Sequence, residues 1–335
     1  MKQVLISEDL PRFKANLHAH SICSDGRWTP ADLKKLYKDA GYSILALSDH
    51  NVLVDHSELN DPDFFMLPAC EINISRKGEL PAPYYPCYHF NVYPRKPGNF
   101  TLPCYNPKYI WTKETAYRDA QSYLGSADYI RDYDHTNEMV REFLQNDFLV
   151  MLNHPTWSQQ TTADFLQIDG FFAMEIYNHG CVVEGYDEIN SRVFDELLRA
   201  GRHVFCVASD DNHNAFAPDH PRFDSLGGFT VIQAESLTQE AIIAALEAGR
   251  FYSSTAPLIH SLILEDNTLS IRTSPAAKIV LSTGIRQSRV AYPEHPGGTL
   301  TEATFNLANI HPTYLRVTVF DSCGNQAWSQ PIWRA

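Results

Sequence analysis

The sequence predicts an α/β protein in which a run of β/α units over residues 1–256 precedes a small all-β, sandwich-like domain over 257–335. Two observations carry this. Short apolar runs alternate with segments of helical periodicity as far as about residue 250, the texture of strands interleaved with helices. Beyond about residue 256 the texture becomes LSIRT, KIVLST, ATFNLAN and LRVTVFD, separated by Pro, Gly and Asn turns, and this period-two alternation suggests a β-sheet.

The helices follow from their end signals. Thr29 caps a first helix with Pro30 at its opening position, Leu33, Leu36, Tyr37 and Ala40 form one face, and Gly41 ends it. Thr136 precedes EMVREFLQN, Asn190 or Ser191 precedes RVFDELLRAG, and Thr238 precedes QEAIIAALEAG, with Gly249 as terminator. Between them lie seven candidate buried strands: KANLHAH, YSILALSDH, FFMLPACE, YHFNVY, FLVMLNH, FFAMEIYN and HVFCVASDD. An eighth run, GGFTVIQA, follows a long loop. Residues 94–135 form a Tyr-rich insertion containing Trp111, and an insertion that long is more often functional or separately folded than slack.

Composition narrows the function. The 335 residues carry 27 Lys+Arg against 40 Asp+Glu, a net charge of −13, which argues against long nucleic acid or an anionic membrane as partner. No signal-peptide stretch and no spanning apolar segment are present, so a cytoplasmic protein is expected. Seven cysteines without a CxxC pair read as reduced thiols, with Cys70, Cys181 and Cys206 in or beside apolar runs.

The chemistry lies in where the apolar runs end. In an extended strand residues i and i+2 point the same way, so His18 and His20 of NLHAHSICSDG can reach one ion. Alone, that pair is weak. His50 closes the second run, however, Glu71 the third, His89 begins the fourth, His154 follows the fifth, and Asp211 with His213 follow the last. If the runs are parallel strands of a barrel, these ends gather at one mouth.

Taken in order, HAHSICSD, LSDHN, ACEIN, the His of YHFN, NHP and ASDDNH resemble the polymerase and histidinol phosphatase (PHP) superfamily of metal-dependent phosphoesterases, over roughly residues 15–255. The resemblance implies a distorted seven-stranded, TIM-like (β/α) barrel and two or three divalent ions, Zn, Mn or Fe. It places His18, His20, Glu71 and Asp211 on one ion. Glu71 bridges to a second, held also by His89 and His154, and Asp25, His50 and His213 hold the third. In SDDNH the i, i+2 rule favours Asp211 as the partner of His213 and leaves Asp210 behind it. Some relatives carry His where Asp25 stands, and Asp is the variant associated with nucleotide-type phosphatases.

The activity so implied is hydrolysis of a small phosphomonoester, a nucleotide or sugar phosphate, by a metal-bridging hydroxide, with Glu71 and Asp211 in catalytic positions. A phosphodiesterase or short-oligonucleotide exonuclease, a hydrolase of bonds lacking phosphorus, and a non-catalytic metal-binding scaffold are the alternatives. Three divalent ions and three carboxylates leave the mouth at about +3, enough to draw phosphate locally. His179 is a candidate proton donor, Arg27 and Arg222 are candidate phosphate clamps, and Asn51, Asn153 and Asn178 could hold substrate, although turn formation explains each Asn nearly as well. Trp157, just after NHP, is the aromatic expected nearest the mouth. For the C-terminal domain, packing or dimer contacts and partner binding stay open.

Overall fold

A computed structural model describes residues 2–112 and 115–333. The chain runs β1 (Lys2–Ile6), β2 (Arg12–Asn16), α1 (Pro30–Asp39), β3 (Ile44–Leu47), β4 (Phe65–Pro68), β5 (Cys70–Ser75) and β6 (Cys87–Pro94). The insertion holds β7 (Thr101–Leu102), α2 (Thr115–Ala120) and β8 (Ser122–Tyr123). Next come α3 (Thr136–Gln145), β9 (Phe148–Leu152), α4 (Thr162–Leu166), β10 (Ala173–Asn178), α5 (His179–Glu184), α6 (Ser191–Arg199) and β11 (Phe205–Ser209). Then follow β12 (Phe229–Gln233), α7 (Gln239–Glu247), β13 (Phe251–Ser254), β14 (Ile259–Glu265), β15 (Thr268–Ala276) and β16 (Lys278–Ser282). The last strands are β17 (Arg289–Ala291), β18 (Leu300–Asn306), β19 (Tyr314–Phe320), β20 (Gln326–Ser329) and β21 (Ile332–Trp333).

The architecture is mixed α/β. A five-stranded sheet has the order β11-β10-β9-β6-β5, and a ten-stranded sheet runs β17-β16-β19-β20-β13-β12-β2-β3-β4, with β21 beside β19. Among the described residues these ladders form open sheets and no closed barrel. The sheets meet at the predicted ligand ends, where Ala19 bridges Asn212 and His50 bridges Glu71. The run FFMLPACE is two strands rather than one: β4 pairs with β3, and after Ala69 the chain changes sheets so that β5 pairs with β6.

Not all of these strands are parallel. β6 runs antiparallel to both β5 and β9, so its start lies at the end where β3 and β9 finish. This accounts for His89 opening its run while the other candidates close theirs. Burial on both faces explains the continuous apolar runs. Ile44 and Ala46 of β3 face a cluster with Ala15, Leu67, Met151 and Val207, whereas Leu45 and Leu47 face Tyr37 and Phe64.

The helix ends obey most of their signals. The Thr29 side chain accepts from Asp32 N and that of Thr238 from Ala241 N. Thr136 lies inside α3 rather than before it, and its hydroxyl donates to Tyr133 O. Asn190 precedes α6 without capping it; its Oδ1 instead accepts from the Thr156 hydroxyl, and its Nδ2 donates to Glu188 and the Glu175 carbonyl. Cys70, Cys181 and Cys206 are buried as expected. Among the described residues no helix is long and apolar enough to cross a membrane.

The expected boundary at 256/257 falls between β13 and β14, and hydrogen bonds cross it. β13 pairs with β20, and β1 pairs with β14. Arg316 of β19 adds a fork to Asp195 of α6, with Nε 2.8 Å from Oδ1 and Nη2 2.7 Å from Oδ2. Arg316 is 4% exposed, so Asp195→Ala strands a buried guanidinium and should cost about 3 kcal/mol. Urea unfolding checks this, and Asp195→Leu/Arg316→Met, which removes both charges, should be the milder change.

Candidate metal centre

The strand ends deliver the predicted residues to one place. His18 and His20 follow β2, His50 follows β3, Glu71 follows the β4 turn, His89 starts β6, His154 follows β9, and Asp211 and His213 follow β11. Backbone bonds set their phase: Asp211 N donates to His18 O at 2.8 Å and His20 N to Asn212 O at 3.0 Å. Glycines permit the closeness, since a Cβ at Gly180 would lie 2.7 Å from Asp211 O and one at Gly26 2.5 Å from His20 O. His154 and Asp211 themselves hold positive φ, 20° and 52°, conformations that persist only where the surroundings enforce them.

Three groups of donor atoms form, each within 4.8 Å: His18, His20, Glu71 and Asp211; His20, Asp25, His50 and His213; and His50, Glu71 and His89. In the first, His18 Nε2 lies 3.2 Å from His20 Nε2 and 3.1 Å from Asp211 Oδ1. His154 Nε2 stands 3.3 Å from Glu71 Oε1 and 3.7 Å from Asp211 Oδ2, between two groups. Asp25 comes from a turn to within 3.4 Å of His213 Nε2. All nine predicted ligands are thus brought together. A fourth trio, Cys23, Asp49 and His56, gathers separately.

The donor set fits metal ions on an observation of its own. His50 Nδ1 and Asp211 Oδ1 are buried without a hydrogen-bond partner, although Glu71 Oε2 is 3.1 Å from the former and His20 Nε2 is 2.9 Å from the latter. Such approaches lack hydrogen-bond angles; the lone pairs converge on common points instead of on one another. An imidazole and carboxylate set of this kind suits divalent Zn, Mn or Fe.

Glu175 is the functional residue that motif reading missed. It is fully buried in β10, with Oε1 taking His18 Nδ1–H at 2.7 Å and the Ser209 hydroxyl. Its Oε2 accepts from His154 N at 2.8 Å and Asn178 Nδ2 at 2.9 Å. Bonding at Nδ1 leaves Nε2 of His18 as the ligating atom. The available signal was a lone acid inside the apolar run FFAMEIYN.

Electrostatics follow from this crowding. Burial opposes charge on His18, but Asp211, Glu175 and Glu71 outweigh it and raise its pKa to about 10. His89 is likewise raised to about 10 against burial, chiefly by Glu71. His50 goes down, because there burial dominates. Glu71 resists burial through His18, His89 and His50, which hold it well below the usual carboxylate range.

A cavity of about 330 Å³ opens over the cluster, with Trp111, Trp157, Phe216 and Arg222 in its walls. Trp157 packs on His89 and His154, at 5.3 and 4.9 Å between ring centres, and Trp111 on His50 at 4.0 Å. The Tyr-rich insertion therefore reaches the mouth through its 109–111 segment. Arg222, 4.7 Å from the Phe216 ring, is there too. Arg27 is exposed and lines a different groove with Trp28 and Asp32. Asn51 bonds Asn73 and Tyr109 O, and Asn153 bonds Glu71 Oε1 at 2.7 Å. Asn178 caps α5 and steadies Asp211 Oδ2 at 3.1 Å. His179 sits against Tyr177 Oη at 2.9 Å and beside Gly227, outside the cavity walls. Asp210 accepts from Leu226, Gly227 and Gly228 N–H groups and from Tyr37, behind Asp211 as expected.

No family model matches the chain, and no curated protein matches it. Among solved structures it is similar to a two-domain protein from Bacteroides vulgatus, described as containing an inferred PHP-like metal-dependent phosphoesterase, at 15% identity over 98% of each chain with a TM-score of 0.46. A candidate metal-dependent phosphoesterase from Bifidobacterium adolescentis is 15% identical over 62% of this chain and 90% of its own, with a TM-score of 0.37. An amidohydrolase from Chromobacterium violaceum is 15% identical over 61% and 88%, with a TM-score of 0.39.

Two outcomes are expected. His18 and His89 are raised to about 10, hence protonated at neutral pH, and must lose those protons to ligate. Metal affinity should rise with pH from 6.5 toward that value, and calorimetry in two buffers of different ionisation enthalpy should register net proton release; none would contradict these ligands. Glu175→Gln should weaken metal binding about 10- to 100-fold, read as metal retained after dialysis.

Proposed function

We propose that the chain is a metal-dependent phosphoesterase of the PHP kind, hydrolysing a small phosphomonoester such as a nucleotide or sugar phosphate. One observation carries the reading: imidazoles and carboxylates from successive strand ends converge, leaving His50 Nδ1 and Asp211 Oδ1 buried without partners. The ordered sequence motifs support it independently. On this reading strands of residues 1–256 from both sheets form the distorted seven-stranded barrel, residues 257–335 form its β domain, and the protein works in the cytoplasm without long nucleic acid or membrane.

The nine ligands would hold two or three divalent ions, which when bound supply an activated water and Lewis-acid stabilisation of phosphoryl oxygens. The remaining tasks fall to the chain's own residues. Glu71 belongs to two of the three donor groups and would hold neighbouring ions in fixed relation. Arg222, the one Arg or Lys in the described cavity wall, would pair with a non-bridging oxygen of the substrate. Trp111 and Trp157 form apolar walls that narrow the mouth, exclude bulk water and offer faces to a ring. A cavity of about 330 Å³ is sized for a small molecule.

Phosphate release from mononucleotides, sugar phosphates and a simple diester, with Mn or Zn supplied, tests this. His18→Ala/His20→Ala should abolish release while circular dichroism stays native, and unchanged activity would sink the ligand assignment. A diester preferred over every monoester would favour the diesterase, and turnover only of an ester lacking phosphorus would remove phosphate from the proposal.

A further inference from the structure

Arg131, at the end of the Tyr-rich insertion, is 4% exposed. One guanidinium nitrogen donates to Asn51 Oδ1 and, at 2.8 Å, to Asn73 O. The Tyr109 ring lies 4.3 Å from its centre, and its Nε is buried with no hydrogen-bond partner. Burial pushes its pKa down to about 10, and the groups that act on it most strongly are Cys70, Tyr109, Cys104 and Tyr129. None of these groups is a carboxylate, and a buried cation without a counter-charge is strongly unfavourable.

Arg131 lines a cavity of about 290 Å³ together with Arg76, Lys77, Asn73, Gly78 and Tyr109. Among the described lining residues three are cations and none is an acid, in a chain whose net charge is −13. Glu79, in the same loop, is exposed and outside the lining. The cavity shares no lining residue with the one over the metal cluster. It is nevertheless tied to that cluster: Asn51 adjoins His50, and Tyr109 is two residues from Trp111.

We propose that this second cavity binds an oxyanion, the phosphate or carboxylate of a small molecule, with Arg131 as its buried cation and Arg76 and Lys77 at its rim. Arg131 contributes a guanidinium to the cavity wall, a group that pairs well with oxyanions, and the two rim cations draw the anion in. Bound there, the anion supplies Arg131 with a counter-charge. The proposal does not depend on the metal cluster being hydrolytic.

The full-length protein, stripped of metal by chelation, is titrated calorimetrically with inorganic phosphate and separately with citrate. Arg131→Gln and the exposed pair Arg76→Glu/Lys77→Glu are titrated alongside; the latter leaves the buried network intact should Arg131→Gln fail to fold. Saturable binding is expected, weakened by about tenfold or more in each variant and retained in His18→Ala/His20→Ala. The tighter of the two probes identifies a phosphate or a carboxylate as the ligand group. Absence of saturable binding at millimolar anion, or equal affinity in the Arg76→Glu/Lys77→Glu protein, overturns the site.

Discussion

The pairing of Glu175 with His18 inside the protein is the contact on which the mouth depends. A carboxylate with no exposure survives only when its acceptor positions are used, and Glu175 uses them on His18 Nδ1, Ser209, the His154 backbone and Asn178. Each bond fixes something beyond itself: a ring orientation after β2, a left-handed backbone after β9, and, through Asn178, the Asp211 carboxylate after β11. One side chain on β10 therefore sets the geometry of groups from three other strands. Asp210 and Asp49 do related work nearby, the first pinning residues 226–228 and the second taking three hydrogen bonds from Ser21 and Ser24.

The proposed ligands were legible because chemistry constrained both their type and their phase. His18, His20, His50, Glu71 and Asp211 close apolar runs, and no local turn preference produces that coincidence five times. Glu175 was hidden, because a buried acid in mid-strand carries no spacing signature and gains its meaning only from the His18 ring opposite. Trp111 was hidden for the same reason: the insertion was visible as Tyr-rich chain, but its approach to His50 rests on bonds such as Asn51 Nδ2 to Tyr109 O, which span distant sequence. Arg27 follows Asp25 in sequence and His179 follows β10, yet Arg27 lines a separate groove and His179 rests against Tyr177, so neither enters the wall of the cavity over the cluster.

Strand direction was the least readable feature. Apolar runs buried on both faces look alike whichever way they run, so the antiparallel course of β6 had no mark except His89 standing first instead of last. The same blindness applied at Ala69, where a continuous apolar run divides between two sheets. Pro68 can accept but not donate in a ladder, and the switch follows directly after it.

Sheet continuity across residue 256 also bears on how the chain is made. Lys2 lies opposite Glu265, and Ser253 opposite Trp328, so β1 and the inner strand β13 both wait for partners synthesised later. At elongation rates of about 5–20 residues per second that wait is on the order of 10–50 s for β1 and on the order of 4–15 s for β13. Meanwhile β1 and β13 present unpaired edges, the surface through which nascent β proteins associate wrongly. β13 gains its second neighbour only when β20 arrives, a non-local pairing of the kind that slows folding.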